Sequence, residues 1–475
     1  MPISQERLHR TLNPRSIVVV GDKGPNYGWL QRQKHFAGPV YSVQVDPVEV
    51  AAIEKLGYTN FTSLDDVPGD IDLLICAVPR QIVPRIVADA VKRGVGGIAM
   101  YTSGFAETGE PQFAEMQARM VEMAMDANMA IVGPNCLGIY NRREGVRFGD
   151  DQEVGEGGTI SIAGQSGTNT SGILSGLQRL GQKITRAISF GNAAVLNECD
   201  YLEYFMNDPL TEVIVMYIEG VRDGRRFFDL ARRAALKKPV VVWKGGQTPA
   251  GARAVQSHTA SLASQNSVWD ALLKQANIIG TGTMEETLDV AALLANVKQP
   301  TGRGVALIGM NGGQAVALSD QFSLAGFHVP RLTEASYAQL AEFFTAVGSS
   351  YQNPFDAAST IRSEDDNLAK ILEILAQDGS IDGGVGLELG ARDLDTGAKE
   401  LDRILGLLAG FRDRTGQPVV CLMHEQGGGE GGAEAMVRAR KYVGERGFAV
   451  APSYARGAAA LGRAVTYYEE RARRS

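Results

Sequence analysis

The chain has 475 residues, of which 44% are hydrophobic. At roughly 100–200 residues per domain, that length suggests three domains, each long enough to close its own core. The formal charge of −7 is spread along the chain without a basic block, which argues against electrostatic nucleic-acid binding.

In chain order, the opening MPISQERLHRTLNPRS lacks an apolar signal core. Residues 16–20 (SIVVV), 73–77 (LLICA), 97–101 (GIAMY) and 130–132 then read as buried strands, with a helical pattern such as 112–127 between them. The pattern restarts at 159–163 (TISIA) and continues through 213–218 (VIVMYI) and 240–243 (VVVW). It restarts again at 304–308 (GVALI), with later strands at 385–389 and 418–423. Such strand–helix alternation predicts parallel sheets covered on both faces. The Gly/Glu-rich stretch 150–158 and the turn 299–304 mark boundaries, giving domains over residues 1–149, 150–299 and 300–475. The run 427–432 (GGGEGG) reads as a loop, and 469–475 as a basic helical tail. No run approaches the ~20 apolar residues of a membrane helix. Cys76, Cys136, Cys199 and Cys421 are far apart and show no C-x-x-C spacing, which points to reduced thiols rather than a zinc site or a disulfide framework. The expectation is a soluble cytoplasmic protein without a metal site.

Each expected domain opens with strand, glycine turn and helix. The first turn runs from Gly21 to Gly28. Glycine permits close backbone approach, and a helix N-terminus offers free N–H groups to phosphate. The turn is not a full G-x-G-x-x-G. Asp46 falls near the ~20-residue spacing of a dinucleotide-binding acid, so an NAD-dependent dehydrogenase stays open at this point. The second turn, Gly164, Gln165, Ser166, Gly167 and Thr168, adds two hydroxyl donors to a helix N-terminus, a cradle for a small phosphate group. Its plainer reading is an N-cap hydroxyl. The third turn, from Asn311 to Gln314, reads as structural.

Residues 131–139 carry a more specific signal. Gly133-Pro134-Asn135-Cys136-Leu137-Gly138 closely resembles the GPNCLG segment that ends the CoA-binding domain of ADP-forming acyl-CoA synthetases, relatives of succinyl-CoA synthetase. Further stretches match in the same order: 77–79 (AVP), 103–105 (SGF), 189–192 (SFGN), 218–220 (IEG) and 257–263 (SHTASLA). Asn353-Pro354 with Asp356 resembles the family's NP-x-D turn. The resemblance covers nearly the whole chain, from about Leu12 to Leu461. It implies an α/β protein: a Rossmann-like CoA-binding domain followed by two flavodoxin-like doubly wound domains. By the same match, Gly21, Val45, Pro47, Val78, Pro79, Ser103, Gly104 and Asn135 line the CoA site.

Of five histidines, only His258 sits between small hydroxyl residues, ahead of a helix-like run at 265–276. Neutral imidazole can accept and return a phosphoryl group near pH 7. The resemblance makes His258 the phosphohistidine and Glu219 the carboxylate that holds its ring, with residues 164–168 cradling phosphate beside it. Lys244 matches a family lysine in a K-x-G turn. The implied reaction is that of an acid–thiol ligase: a carboxylic acid, ATP and CoA give acyl-CoA, ADP and phosphate through an acyl phosphate. ATP/ADP and magnesium would be held by an ATP-grasp domain, for which no length remains here. The expectation is therefore a separate ATP-grasp beta subunit in an α2β2 hetero-oligomer acting on a small carboxylic acid. The chain departs from the family at Ala260 and Ser264, where glycines are usual, at Gly164 in place of a common serine, and at Asp46 in place of asparagine. Those departures motivate an alternative, a CoA-binding or regulatory member with altered catalysis. Neither the acid nor the physiological direction is legible in the sequence.

Overall fold

The structure is a computed structural model that describes residues 3–259, 266–297, 299–364, 366–390, 394, 398–424 and 432–474, without the side chains of 256–259, 266 and 363. It holds two compact units, Met1–Ser175 with Lys183–Met284, and Gly176–Gln182 with Glu285–Ser475.

The first unit contains two sheets. In the first, β1 (Ile17–Val20), β2 (Val40–Val43), β3 (Thr59–Phe61), β4 (Leu73–Cys76), β5 (Gly97–Met100) and β6 (Ala130–Val132) run parallel in the order β3-β2-β1-β4-β5-β6. The runs IVVV, LLIC and GIAM are buried at every residue, as strands covered on both faces must be. Strand order reverses between β1 and β4, which opens a crevice at their C-terminal ends.

The second sheet has β7 (Gly138–Asn141), β8 (Ile160–Gly164), β9 (Ile184–Ser189), β10 (Val213–Ile218), β11 (Val240–Lys244) and β12 (Ile279–Thr281) in the order β12-β11-β10-β8-β9-β7. Without β7 this is the flavodoxin-like 2-1-3-4-5 arrangement, with its reversal between β8 and β10. β7 pairs antiparallel with β9. Three left-handed residues, Gly133, Asn135 and Gly138, turn the chain from β6 in the first sheet to β7 in the second.

In the second unit, β13 (Val305–Gly309), β14 (Phe355–Asp356), β15 (Gly384–Glu388), β16 (Val419–Leu422) and β17 (Ala449–Ala451) form a parallel sheet in the order β14-β13-β15-β16-β17. Asn311 caps the helix Gly312–Leu324, accepting from the Gln314 N–H at 2.9 Å. Asn353 fastens β13, accepting from Leu307 N–H at 3.0 Å and donating to Val305 O at 2.9 Å.

The helices expected at 112–127 and 265–276 are Pro111–Asp126 and Asn266–Ala276. The basic tail is the end of a 21-residue helix, Tyr454–Arg474. The loop expected at 427–432 lies outside the described residues except for Gly432, the first residue of the helix Gly432–Glu445. All four cysteines are buried free thiols. Among the described residues no helix is long and apolar enough to cross a membrane.

Candidate functional site

Two switch points, one in each sheet of the first unit, carry most of the residues singled out in the sequence. At the first, Gly21 follows β1 with φ +80°, and a Cβ there would stand 2.4 Å from Val78 Cγ1. Only glycine allows this approach. Gln44 binds the turn to the end of β2: its amide donates to Asp22 O at 3.0 Å, and its oxygen accepts from Val45 N–H at 2.9 Å. Val45 is thereby left 70% exposed at the crevice rim, an apolar surface available to a ligand. Pro47 opens the helix Pro47–Lys55, capped by Asp46, which accepts from Val48 N–H at 2.9 Å. The cap accounts for Asp46 without a ribose ligand. Tyr27 donates to Glu49 at 2.7 Å, a bond that pushes the phenol up to about 12 and holds the carboxylate below its usual range.

Beyond β4 and β5 the loops interlock. Thr102 Oγ1 donates to Val78 O at 2.7 Å, and Asn135 N–H donates to Thr102 O at 3.0 Å. Val78, Pro79, Ser103, Gly104 and Asn135 therefore lie on two adjoining loops and a third hydrogen-bonded to them. Sequence reasoning missed Arg80. Its Nη1 donates to Gly104 O at 2.6 Å, and its guanidinium lies 3.4 Å from the Phe113 ring centroid. No acidic side chain pairs with it among the described residues, and its Nε is buried without a hydrogen-bond partner. A crevice at a topological switch point, a glycine cradle that a Cβ would fill and an uncompensated guanidinium fit an anionic adenine nucleotide such as CoA. Arg80 follows directly on Pro79, and its charge next to a matched loop was the available signal.

At the second switch point, Gly164 ends β8 and Gly167 begins the helix Gly167–Arg179. Ser166 and Gly167 are half-buried and Thr168 is exposed, so this helix start faces outward. Ser166 Oγ accepts from Asn169 N–H at 3.3 Å. Gln165 points the other way. Its N–H donates to Tyr217 O, its amide donates to Gly220 O at 3.0 Å, and its oxygen accepts from the N–H groups of Glu219 and Gly220. Gln165 thus locks the end of β10 to the turn rather than offering a donor to a ligand.

Glu219, just past β10, is 7% exposed. Lys244 at the end of β11 donates to Glu219 O at 2.7 Å and Gly245 O at 2.5 Å, so this lysine fastens the strand end. Burial pulls its ammonium down, partly offset by the Glu219 charge. Tyr217, two residues back on the same strand face, is pushed up to about 12 by burial and then by the Glu219 carboxylate. A Cβ on Gly245 would stand 2.6 Å from the Tyr217 hydroxyl and 3.3 Å from Glu219 Cγ, so glycine there keeps room beside the carboxylate. The chain then enters a helix the sequence did not suggest, Pro249–Thr259, with His258 in its last turn. That helix lies against the single-turn helix Ala106–Thr108 of the first sheet's loops. Residues 260–265, with Ala260 and Ser264, and the His258 side chain lie outside the described residues.

Comparison with known proteins gives consistent matches. Residues 15–142 match a CoA binding domain, and residues 157–294 match a succinyl-CoA ligase like flavodoxin domain. The chain is 32% identical over 374 residues to acetate–CoA ligase (ADP-forming) II subunit alpha of Pyrococcus furiosus, covering 78% of this chain and 80% of that subunit. It is 32% identical over 380 residues to acetate–CoA ligase (ADP-forming) I of Archaeoglobus fulgidus, covering 79% of this chain and 54% of that protein. The chain thus spans about half the length of several curated relatives it matches. Over 98% of its length it superposes, with a TM-score of 0.82 and 26% identity, on 97% of dinucleotide forming acetyl-coenzyme A synthetase 1 of Ca. Korarchaeum cryptofilum, solved with phosphate and ADP. On these matches, the chain belongs to the family of ADP-forming acyl-CoA ligases, on the side of their alpha subunits.

Proposed function

We propose that this chain is the CoA-binding, phosphohistidine-carrying subunit of an ADP-forming acyl-CoA ligase. It acts on a small carboxylic acid with a separate ATP-grasp beta subunit, in an α2β2 assembly. The observation that carries the reading is the pair of switch points in one compact unit. One offers the Gly21–Val78 crevice with Arg80. The other brings the outward-facing helix start at Ser166–Thr168 next to the buried Glu219, with His258 on the following segment.

In this reading CoA supplies the thiol that accepts the acyl group, and Gly21, Val45, Pro47, Val78, Pro79, Ser103, Gly104 and Asn135 hold it with Arg80. His258 takes the phosphoryl group on a ring nitrogen while Glu219 steadies the ring and offsets the cation that forms. The N–H groups at the start of the helix Gly167–Arg179 receive the phosphate oxygens. The nucleotide and magnesium belong to the partner, in keeping with the separate alpha subunits among the relatives.

The test is to co-express the chain with an ATP-grasp partner, add γ-labelled ATP and magnesium, and follow acid-labile label on this chain. Label on the wild type and none on His258→Ala is expected. Glu219→Gln should slow labelling by about 10²-fold or more. An active partner with CoA bound but no label on this chain would overturn the phosphohistidine assignment.

A further inference from the structure

One carboxylate ties the loops of the first two sheets together. Glu107 lies in the single-turn helix Ala106–Thr108. Its Oε1 accepts from Gly104 N–H at 2.5 Å. Its Oε2 accepts from Phe105 N–H at 3.0 Å and from the Asn192 side-chain amide at 2.5 Å. The first two contacts are what a turn-capping carboxylate makes. The third is not: Asn192 follows β9 in the second sheet, and capping does not require it.

Asn192 is 9% exposed and committed at every polar atom. Its amide also donates to Gln117 Oε1 at 3.1 Å, its side-chain oxygen accepts from Asn135 at 3.4 Å, and its N–H donates to Pro134 O at 3.0 Å. Its carbonyl accepts from Arg222 Nη2 at 2.6 Å, and Arg222 stands three residues after Glu219. On the other side, Arg80 holds the Gly104 carbonyl while Glu107 holds the Gly104 N–H, so the peptide groups on both sides of Gly104 are fixed. An unbroken path of hydrogen bonds and backbone thus runs from Ser103-Gly104 through Glu107, Asn192 and Arg222 to Glu219.

We propose that Glu107 is a positioning residue for acyl-CoA chemistry. Through Asn192 it clasps the Ser103–Gly104 turn to the second sheet, so that the CoA crevice and the Glu219 strand end keep one fixed relation. The helix that carries His258 packs on Ala106–Thr108, the single-turn helix that holds Glu107, which places the clasp between the two half-sites. Charge-assisted bonds of this length are the stronger class, and their loss is felt at the groups they orient. The inference rests on the CoA-binding reading above and deepens it.

A double-mutant cycle read in CoA affinity tests it. Calorimetry on the full chain would compare the wild type, Glu107→Gln, Asn192→Ala and the double variant, with thermal melts alongside. Each single variant is expected to weaken CoA binding about tenfold. The double variant should be about as weak as either single one, because both remove the same contact. Multiplying effects, or wild-type affinity in both singles, would overturn the clasp. Should Asn192→Ala fail to fold, Asn192→Asp replaces it. Two facing carboxylates should weaken CoA binding, and adding Glu107→Gln should restore it at an unchanged melting temperature. Lack of rescue overturns the clasp, because a merely structural role would not show charge-dependent rescue in CoA affinity. A wild type that binds no CoA overturns the functional reading and the clasp with it, whereas changes confined to the variants' expected pattern support both.

Discussion

Thr170 fills the corner beside Gly164, where the family resemblance suggests a serine. A Cβ on Gly164 would stand 2.2 Å from Thr170 Oγ1, and that hydroxyl already donates to Ser166 O at 2.6 Å. The space and the polar contact at this corner belong to residue 170. Gly164→Ser should therefore destabilise the unit by about 1–3 kcal/mol, the usual range for forcing extra atoms into a packed site. Gly164→Ser with Thr170→Ala should recover most of that loss in thermal melts. A neutral single substitution would mean that Thr170 moves aside freely. A second residue-scale prediction concerns Glu198. It is fully buried, accepts from Arg222 N–H at 2.9 Å, and has its second oxygen buried without a hydrogen-bond partner. Burial raises its pKa above the ordinary glutamate value, with the Arg222 N–H opposing. The folded state therefore binds the proton more tightly than the unfolded chain does. Its contribution is fully present below the unfolded value near 4.5 and is lost as pH rises through the raised folded value. Glu198→Gln removes the buried charge and keeps an acceptor for Arg222. Its melting temperature should exceed that of the wild type at neutral pH, and the gap should narrow as pH falls toward 4.5. A gap that widens on acidification would contradict the assignment.

At the scale of elements, the junction between the first two sheets depends on Gly191. Its φ is +49°, and a Cβ there would stand 2.1 Å from Asn135 O and 2.4 Å from Pro134 O. The SFGN loop can approach the GPNCLG loop only while this position has no side chain. Gly191→Ala should lower stability by about 2 kcal/mol or more and weaken CoA binding as the loops part. Gly94→Ala is the control. Gly94 caps its helix with φ +70° and has nothing within 4 Å of a Cβ, so only backbone strain of about 1–2 kcal/mol applies and CoA affinity should hold. Equal CoA affinity in both variants would separate this junction from the ligand site. Much of the junction was legible in the motif residues Asn135 and Asn192, but not the contact between them. The three fully buried strands IVVV, LLIC and GIAM announced themselves by aliphatic content. β7 did not, because GIYN is a short edge strand whose partner is fixed by the preceding turn rather than by its own pattern. The helix Pro249–Thr259 was hidden by PAGARAVQSHT, where a proline, a glycine and hydroxyl residues mask the period. The contacts of Arg80 with Gly104, Gln165 with Gly220 and Glu107 with Asn192 span 24 to 85 residues and left no local signal, and the Gly104-to-Glu107 spacing of three residues reads as an ordinary cap.

In the proposed function the molecule as a whole would manage polyanionic ligands with a net charge of −7. Its local devices for that would be the Arg80 guanidinium, which has no acidic partner among the described residues, outward-facing helix N–H groups and glycines that let backbone approach. The chain covers 80% and 76% of two Pyrococcus furiosus alpha subunits, but only about half of the single-chain relatives from Archaeoglobus fulgidus and Nitrosopumilus maritimus. In the longer relatives the remaining length is joined covalently. In the proposed function a separate beta chain supplies the ATP-grasp part. Purified alone, this chain should bind CoA measurably yet form no ADP from ATP with an acid and CoA. Adding an ATP-grasp beta chain should switch on ADP formation that depends on both acid and CoA, and sedimentation should show a complex with equal numbers of the two chains. His258→Ala should leave that assembly and CoA binding intact while abolishing ADP formation, since it removes the phosphoryl acceptor and none of the groups assigned to CoA. ADP formation by the single chain would place a nucleotide site within it and remove the need for the beta subunit. Activity that survives His258→Ala in the complex would instead keep the partnership and reassign the phosphoryl carrier.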